Sequence, residues 1–290
     1  MSAVYTWVIG PFAEFAFMRS ALTGALMLAL SACPVGVFLT LRRMSLAGDA
    51  MSHAILPGAA VGFLIYGLQI LPMTVGGLIA GLIVALGSGV VARATVQKED
   101  ASLAAFYLIS LALGVLIVSL RGSNVDLMHV LFGTVLALNS QALGLIGGIC
   151  AVTLVMLAAI WRGLVAECLD PLFLRSVSRL GTVLHFLFLM LVVLNLVGGF
   201  QALGTLLSVG LMMLPAAAAR FWVNHVGAMC VLAVVFGAVS CAAGLLLSYH
   251  LSLPSGPSII LGAGAIYLLS LLFGRRGVLA GRPRPRHRIA

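Results

Sequence analysis

The stretch "RRMSLAGDAMSHAILPG", residues 42–58, stands between two long uncharged segments. Residues 20–41 before it and 54–92 at its end contain no Asp, Glu, Lys or Arg. A ~30 Å hydrocarbon core is crossed by ~20 helical residues rising 1.5 Å each. The stretch therefore reads as the junction of two membrane spans, with two arginines at the water boundary. Residues 101–120, 127–161, 180–219 and 221–274 are likewise uncharged. Across 290 residues, 62% are hydrophobic and 8% charged, and the mean hydropathy is +1.22. A soluble domain carries about 25% charged residues, so this chain lacks the polar surface to coat a globule. The fold class is an all-α polytopic membrane protein. The ~10-residue alternation of a membrane β-barrel is not seen.

Several uncharged runs exceed one span and must be cut at polar or Pro/Gly-rich points. The cuts fall at residues 69–72, 139–141, 198–201 and 254–257. They predict nine spans near residues 20–41, 47–67, 73–93, 102–120, 141–161, 182–198, 202–219, 226–248 and 257–273, the seventh being short. Alternation with Arg42 and Arg43 in the cytoplasm puts 14 Lys and Arg inside and 2 outside. Inside-facing loops are enriched in Lys and Arg, so the expected N-terminus is outside and the C-terminus cytoplasmic. Residues 1–290 read as a single transmembrane domain, with a lead-in at 1–16 and a basic tail at 275–290. The lead-in has Pro11 and Glu14 and no basic n-region, unlike a signal peptide. The tail, and much of the +9 net charge, reads as a topology anchor against lipid headgroups, not a nucleic-acid site.

Composition also limits the chemistry. Lys98 is the only lysine and Gln97 precedes it, so the phosphate-cradling GxxxxGK[ST] loop cannot form. Any ATPase must be another chain. No HExxH occurs. Cys33, Cys150, Cys168, Cys230 and Cys241 form no CxxC pair and read as small buried thiols. Glycines such as Gly76, Gly77, Gly81, Gly144, Gly147 and Gly148 suit close helix packing.

Asp49 is the only one of seven acidic residues assigned to a span; Glu99, Asp100, Glu167 and Asp170 are assigned to inside loops, Glu14 and Asp126 to the outside. Four helical residues turn ~400°, so Asp49 and His53 share one face. A carboxylate and an imidazole there suit a divalent transition metal. Pro57 has no N–H for the His53 carbonyl, which is expected to stand free at a kink. The alternative is structural: Asp49 in a first helical turn, stabilised by the helix dipole, with His53 donating to a neighbouring carbonyl. His129 and His250 are expected near outside ends, and His185 and His225 near inside ends. Each reads first as a satisfied polar residue. Met212 and Met213 read as packing.

These residues carry a family resemblance. "RRMSLAGDAMSHAILPGAA" resembles the GDxxSHAxxPG segment of permease subunits of bacterial metal-ion ABC importers, the zinc/manganese/iron class. "DLMHVLFGTVLAL" resembles that family's LFG segment, "ALGTLLSVGLMMLPAAAARFW" its G-x-LL…LPAA-x-AR signature, and "LSLPSGPSIILGAGAIYLL" the start of its last helix. The four motifs occur in order over residues ~40–273, most like the zinc-import branch.

The resemblance implies an ABC permease fold of the metal-chelate/vitamin-importer type in the bacterial inner membrane. It implies a homodimer, two cytoplasmic ABC ATPase subunits and a periplasmic metal-binding protein. The chain would be a transport subunit, not an enzyme, with no covalent cofactor. Its cargo would be Zn2+, with Mn2+ or Fe2+ as alternatives; a stand-alone secondary transporter or channel is the competing class. Asp49 and His53 would serve the metal path. The stretch "ECLDPLFLRSVSRLGTV", with Asp170, Leu172, Phe173, Leu174 and Arg175, would dock on the ATPase. It lacks the family's Ala-x-Ala-x-Gly-like pattern, which bears on where a docking helix starts.

Overall fold

The computed structural model describes residue 7 and residues 9–67, 69–96, 99–120, 138–169 and 180–279. Every regular element among them is helical. The order is α1 (Gly10–Glu14), α2 (Ala16–Leu41), α3 (Ser45–Ala54), α4 (Leu56–Tyr66), α5 (Ile70–Ala94), α6 (Glu99–Leu120), α7 (Ser140–Leu169), α8 (Leu180–Leu203), α9 (Thr205–Ala219), α10 (Val226–Leu251) and α11 (Ser255–Phe273). Among the described residues there are eight spans long and apolar enough to cross a membrane, with α3 and α4 together making one. The seventh expected span is α9, with 15 residues. At 1.5 Å per residue it reaches only ~22 Å, short of a full hydrocarbon core.

The break before α9 corrects the sequence reading. The helix runs through residues 198–201, and the chain turns at Gly204, φ 92°. Glycine takes that angle without a Cβ penalty. Gly198 and Gly199 lie within α8, where a Cβ would press on Ile149 and Ser208. Their missing side chains serve packing.

Two helices form the centre. α2 packs against α7, α8, α9 and α10, and α8 packs against α5, α7, α9 and α2. Apolar residues alone do not order helices in lipid, so close approach and buried polar contacts matter. Asn195 of α8 donates to Thr153 Oγ1 of α7 at 2.9 Å, inside the bundle. α4 and α5 meet where a Cβ on Gly58 would collide with the Gly76 carbonyl oxygen. Gly77 and Gly81 are similarly close to Ile55 and Val193, but Gly144 and Gly148 meet nothing within 4 Å. Those two therefore do not make the close contacts expected of them.

The five cysteines are free thiols; four are buried and Cys168 is intermediate. Cys33 Sγ donates to the Leu211 carbonyl at 3.3 Å. Basic residues gather at one end of the bundle. Arg220 Nη1 donates to the Thr40 carbonyl at 3.4 Å, and Arg276 N–H donates to the Phe221 carbonyl at 3.0 Å. At the other end, His250 stacks on Trp7 with ring centroids 4.2 Å apart.

Candidate functional site

The site begins with the way α2 stops. Arg43 has φ 61°, in the left-handed region. Its N–H donates to the Thr40 carbonyl at 3.3 Å, and Met44 N–H donates to the Leu39 carbonyl at 3.0 Å. This is the Schellman arrangement, which satisfies helix-end carbonyls. Holding a non-glycine residue there costs roughly 1–2 kcal/mol. Met44 and Leu39 are both buried, supplying the apolar contact that accompanies the motif. The chain then enters α3 with Ala47 N–H donating to the Met44 carbonyl at 3.0 Å.

α3 is amphipathic in a specific register. Ala47, Met51 and Ala54 are fully buried, and Leu46 and Asp49 are exposed. Gly48 lets the helix sit on α9, where a Cβ would come within 3.0 Å of Met212 Cε and 3.2 Å of Met213 Cε. That contact is the packing role read for both methionines. Asp49 Oδ1 and His53 Nε2 face each other at 3.8 Å, with the side chains 66% and 32% exposed. The gap is too long for a hydrogen bond. A modest side-chain rotation would put both atoms on one cation with bonds of ~2.0–2.2 Å.

Neither half of the structural alternative holds. α3 starts at Ser45 and has no acidic residue in its first turn, so Asp49 lies beyond the strongest part of the helix-end dipole. His53 Nδ1 is a buried atom with no hydrogen-bond partner among the described residues. The Tyr107 ring lies beside the imidazole, centroids 6.3 Å apart.

The kink differs from expectation in one respect. The His53 carbonyl is not free: Ile55 N–H, between α3 and α4, donates to it. Ser110 of α6 donates to the Ala54 carbonyl at 2.9 Å. A Pro-associated break frees a carbonyl one position further on, and a neighbouring helix supplies its donor.

Asp100, expected in an inside loop, lies in the first turn of α6. Together with Asp49 it lines a cleft of about 160 Å³, with Leu46, Leu103 and Tyr107 among its walls. The signal available in sequence was Asp100 at the edge of an uncharged run; the meeting of α3 with α6 has no local signature. Glu167 is also not in a loop. It sits in the last turn of α7 and pairs with Arg42, Nη2 to Oε2 at 2.7 Å. Among the described residues no group of three or more His, Cys, Asp or Glu could hold a metal ion. Asp49 and His53 thus present two ligands, not a complete coordination shell.

Of the other histidines, His250 Nε2 lies 3.0 Å from the Trp7 carbonyl, and His185 is buried beside Arg42. His225 precedes α10 in a cleft shared with Arg275 and Arg276. His129, and Asp170, Leu172, Phe173, Leu174 and Arg175, lie outside the described residues.

The model of the ABC 3 transport family matches residues 14–274. The chain is 34% identical over 268 residues to the manganese transport system membrane protein MntC of Halalkalibacterium halodurans, covering 92% of this chain and 90% of the relative. It is 32% identical over 257 residues to the manganese import system permease protein ScaB of Streptococcus parasanguinis, covering 89% and 90%. It is 28% identical over 272 residues to a probable iron transport system membrane protein of Haemophilus influenzae, covering 94% and 98%. In solved structures, it resembles a chain of PsaBC from Streptococcus pneumoniae in complex with Fab. The TM-score is 0.82 at 31% identity, covering 95% of this chain and 97% of that one.

Proposed function

This chain belongs to the ABC 3 transport family, and from that premise we propose that it is the permease of an importer for a divalent transition metal, with Mn2+ the first cargo to test. ATP hydrolysis would occur on separate cytoplasmic subunits, and a metal-binding protein would deliver the ion from outside. The observation that carries the reading is the Asp49–His53 pair, held 3.8 Å apart on the open face of α3. A hard carboxylate oxygen beside an imidazole nitrogen accepts Mn2+, Fe2+ and Zn2+. The manganese and iron names of the relatives favour those two over the zinc branch suggested by motif resemblance.

The pair is incomplete alone, and a carboxylate facing hydrocarbon is costly. A second copy related by a two-fold axis answers both points: it covers the open face of α3 and doubles the ligands to four. Metal then passes between the copies by alternating access. The stretch from residue 165 to 181 spans the end of α7, the residues between the helices and the start of α8, and is our docking site for the ATPase. Its sequence would supply an apolar centre from Leu172, Phe173 and Leu174 and a polar rim from Glu167, Asp170, Arg175 and Arg179.

The test is uptake in proteoliposomes holding this chain, its ATPase and its binding protein. We expect ATP-dependent Mn2+ accumulation with competition by Fe2+. Uptake of Zn2+ exceeding Mn2+ would reassign the cargo. Flux without the ATPase would replace the importer with a secondary transporter.

A further inference from the structure

Arg42 is the charged residue that closes α2, and it is almost entirely enclosed. Its side chain is 8% exposed and that of Glu167 13%. Three contacts hold the guanidinium. Nη2 donates to Glu167 Oε2 at 2.7 Å. Nη1 donates to His185 Nδ1 at 3.3 Å. Cζ stands 4.4 Å from the Phe188 ring centroid. The Phe188 ring in turn meets Phe38 edge-on, centroids 6.2 Å apart.

The origins of these partners matter more than their number. Glu167 lies in the last turn of α7, and His185 and Phe188 lie in the early turns of α8. The end of α7 and the start of α8 therefore both reach one arginine. From Arg42 the chain reaches α3 through only Arg43 and Met44, whose N–H groups are tied back to the Thr40 and Leu39 carbonyls, and the Met44 carbonyl accepts from Ala47 N–H in the first turn of α3. Asp49 follows five residues beyond Met44. Coupling between distant sites needs a packed element that both can bias. A buried, bidentate-capable guanidinium between two helices fits that need better than a lysine would, because its planar fork keeps several partners in fixed directions.

We propose that Arg42 is a positioning residue that transmits movement of the α7–α8 junction to α3, so that ATP hydrolysis shifts Asp49 and His53. This rests on the reading that the junction docks the ATPase. If so, Glu167 belongs to the transmission and not to the polar rim of the docking surface.

The measurement is the ratio of Mn2+ imported to ATP hydrolysed, in proteoliposomes with the full complex. Glu167→Gln and Arg42→Lys should lower that ratio by about tenfold, a coupling change of ordinary size, while the ATPase stays bound and active. A purely structural role predicts that uptake and hydrolysis fall together, leaving the ratio unchanged. Should the single variants fold poorly, the double variant Arg42→Met/Glu167→Leu serves, because apolar replacement of a buried ion pair is commonly tolerated. It should assemble, hydrolyse ATP and remain uncoupled. A wild-type ratio in any folded variant overturns the proposal. Phe173→Asp/Leu174→Asp separates the premise from the inference. Retention of the ATPase by that variant would remove the docking reading, and the transmission with it. Loss of the ATPase there, alongside wild-type ratios in the Arg42 and Glu167 variants, would overturn the transmission alone.

Discussion

Two acid–base pairs flank the α2–α3 junction, and they are built in opposite ways. Arg42 and Glu167 join at 2.7 Å with both side chains enclosed. Asp49 and His53 stand 3.8 Å apart, and the carboxylate is mostly open. The first pair closes on itself, with an aromatic face and a histidine beside the guanidinium, although Arg42 Nε has no hydrogen-bond partner among the described residues. The second leaves a buried imidazole nitrogen without a partner among the described residues. Charges taken from water need full compensation. On the proposed function, the open pair is the one that meets an ion arriving from outside the chain. The contrast is between an ion pair enclosed by three helices and a pair left open on the face of α3.

The comparison breaks most severely at the closed pair. Glu167→Ala leaves the Arg42 guanidinium buried without its carboxylate, and should cost about 3–5 kcal/mol of stability. Thermal unfolding of the purified protein reads this as a clear fall in Tm. The open pair should respond in function instead. Asp49→Asn removes the charge that attracts a divalent cation and should cut Mn2+ uptake by on the order of a hundredfold, the upper range for disturbing a metal site. His53→Ala should act likewise. Asp49→Asn should keep Tm near wild type, because an exposed position contributes little to stability, and His53→Ala, at a half-buried position, should lower it only modestly. A large fall in Tm with normal uptake in either variant would erase the distinction between the pairs.

Two smaller effects sharpen it. Ser110→Ala removes the donor to the Ala54 carbonyl, which supports the kink below His53. A buried acceptor left unsatisfied costs about 1–3 kcal/mol, so Tm should drop without loss of Mn2+ binding per folded molecule. Asp100→Asn is the mildest. Its carboxylate lines the cleft beside Asp49 and adds to the local negative potential. A few-fold rise in the Mn2+ concentration needed for half-maximal uptake is expected, shrinking as salt is raised. An effect equal to that of Asp49→Asn would make Asp100 a ligand in its own right.

What could be read directly from the sequence follows from one-dimensional causes. Spans are legible because bilayer thickness sets a length and apolar solvent sets a composition. Hence residues 47–67 and 226–248 correspond closely to Leu46–Tyr66 and Val226–Leu251. The shared face of Asp49 and His53 is legible because helical periodicity is local. The tertiary structure decided matters that no local rule contains. Gly204, with φ 92°, breaks the chain, whereas Gly198 and Gly199 stay within α8 packed against Ile149 and Ser208. Asp100 reaches the Asp49 cleft because α6 packs on α3. Glu167 finds Arg42 across 125 residues of sequence. Hydropathy says which residues enter the membrane. Which helices then lie side by side depends on the fit of their surfaces, and that fit brings distant charges into contact.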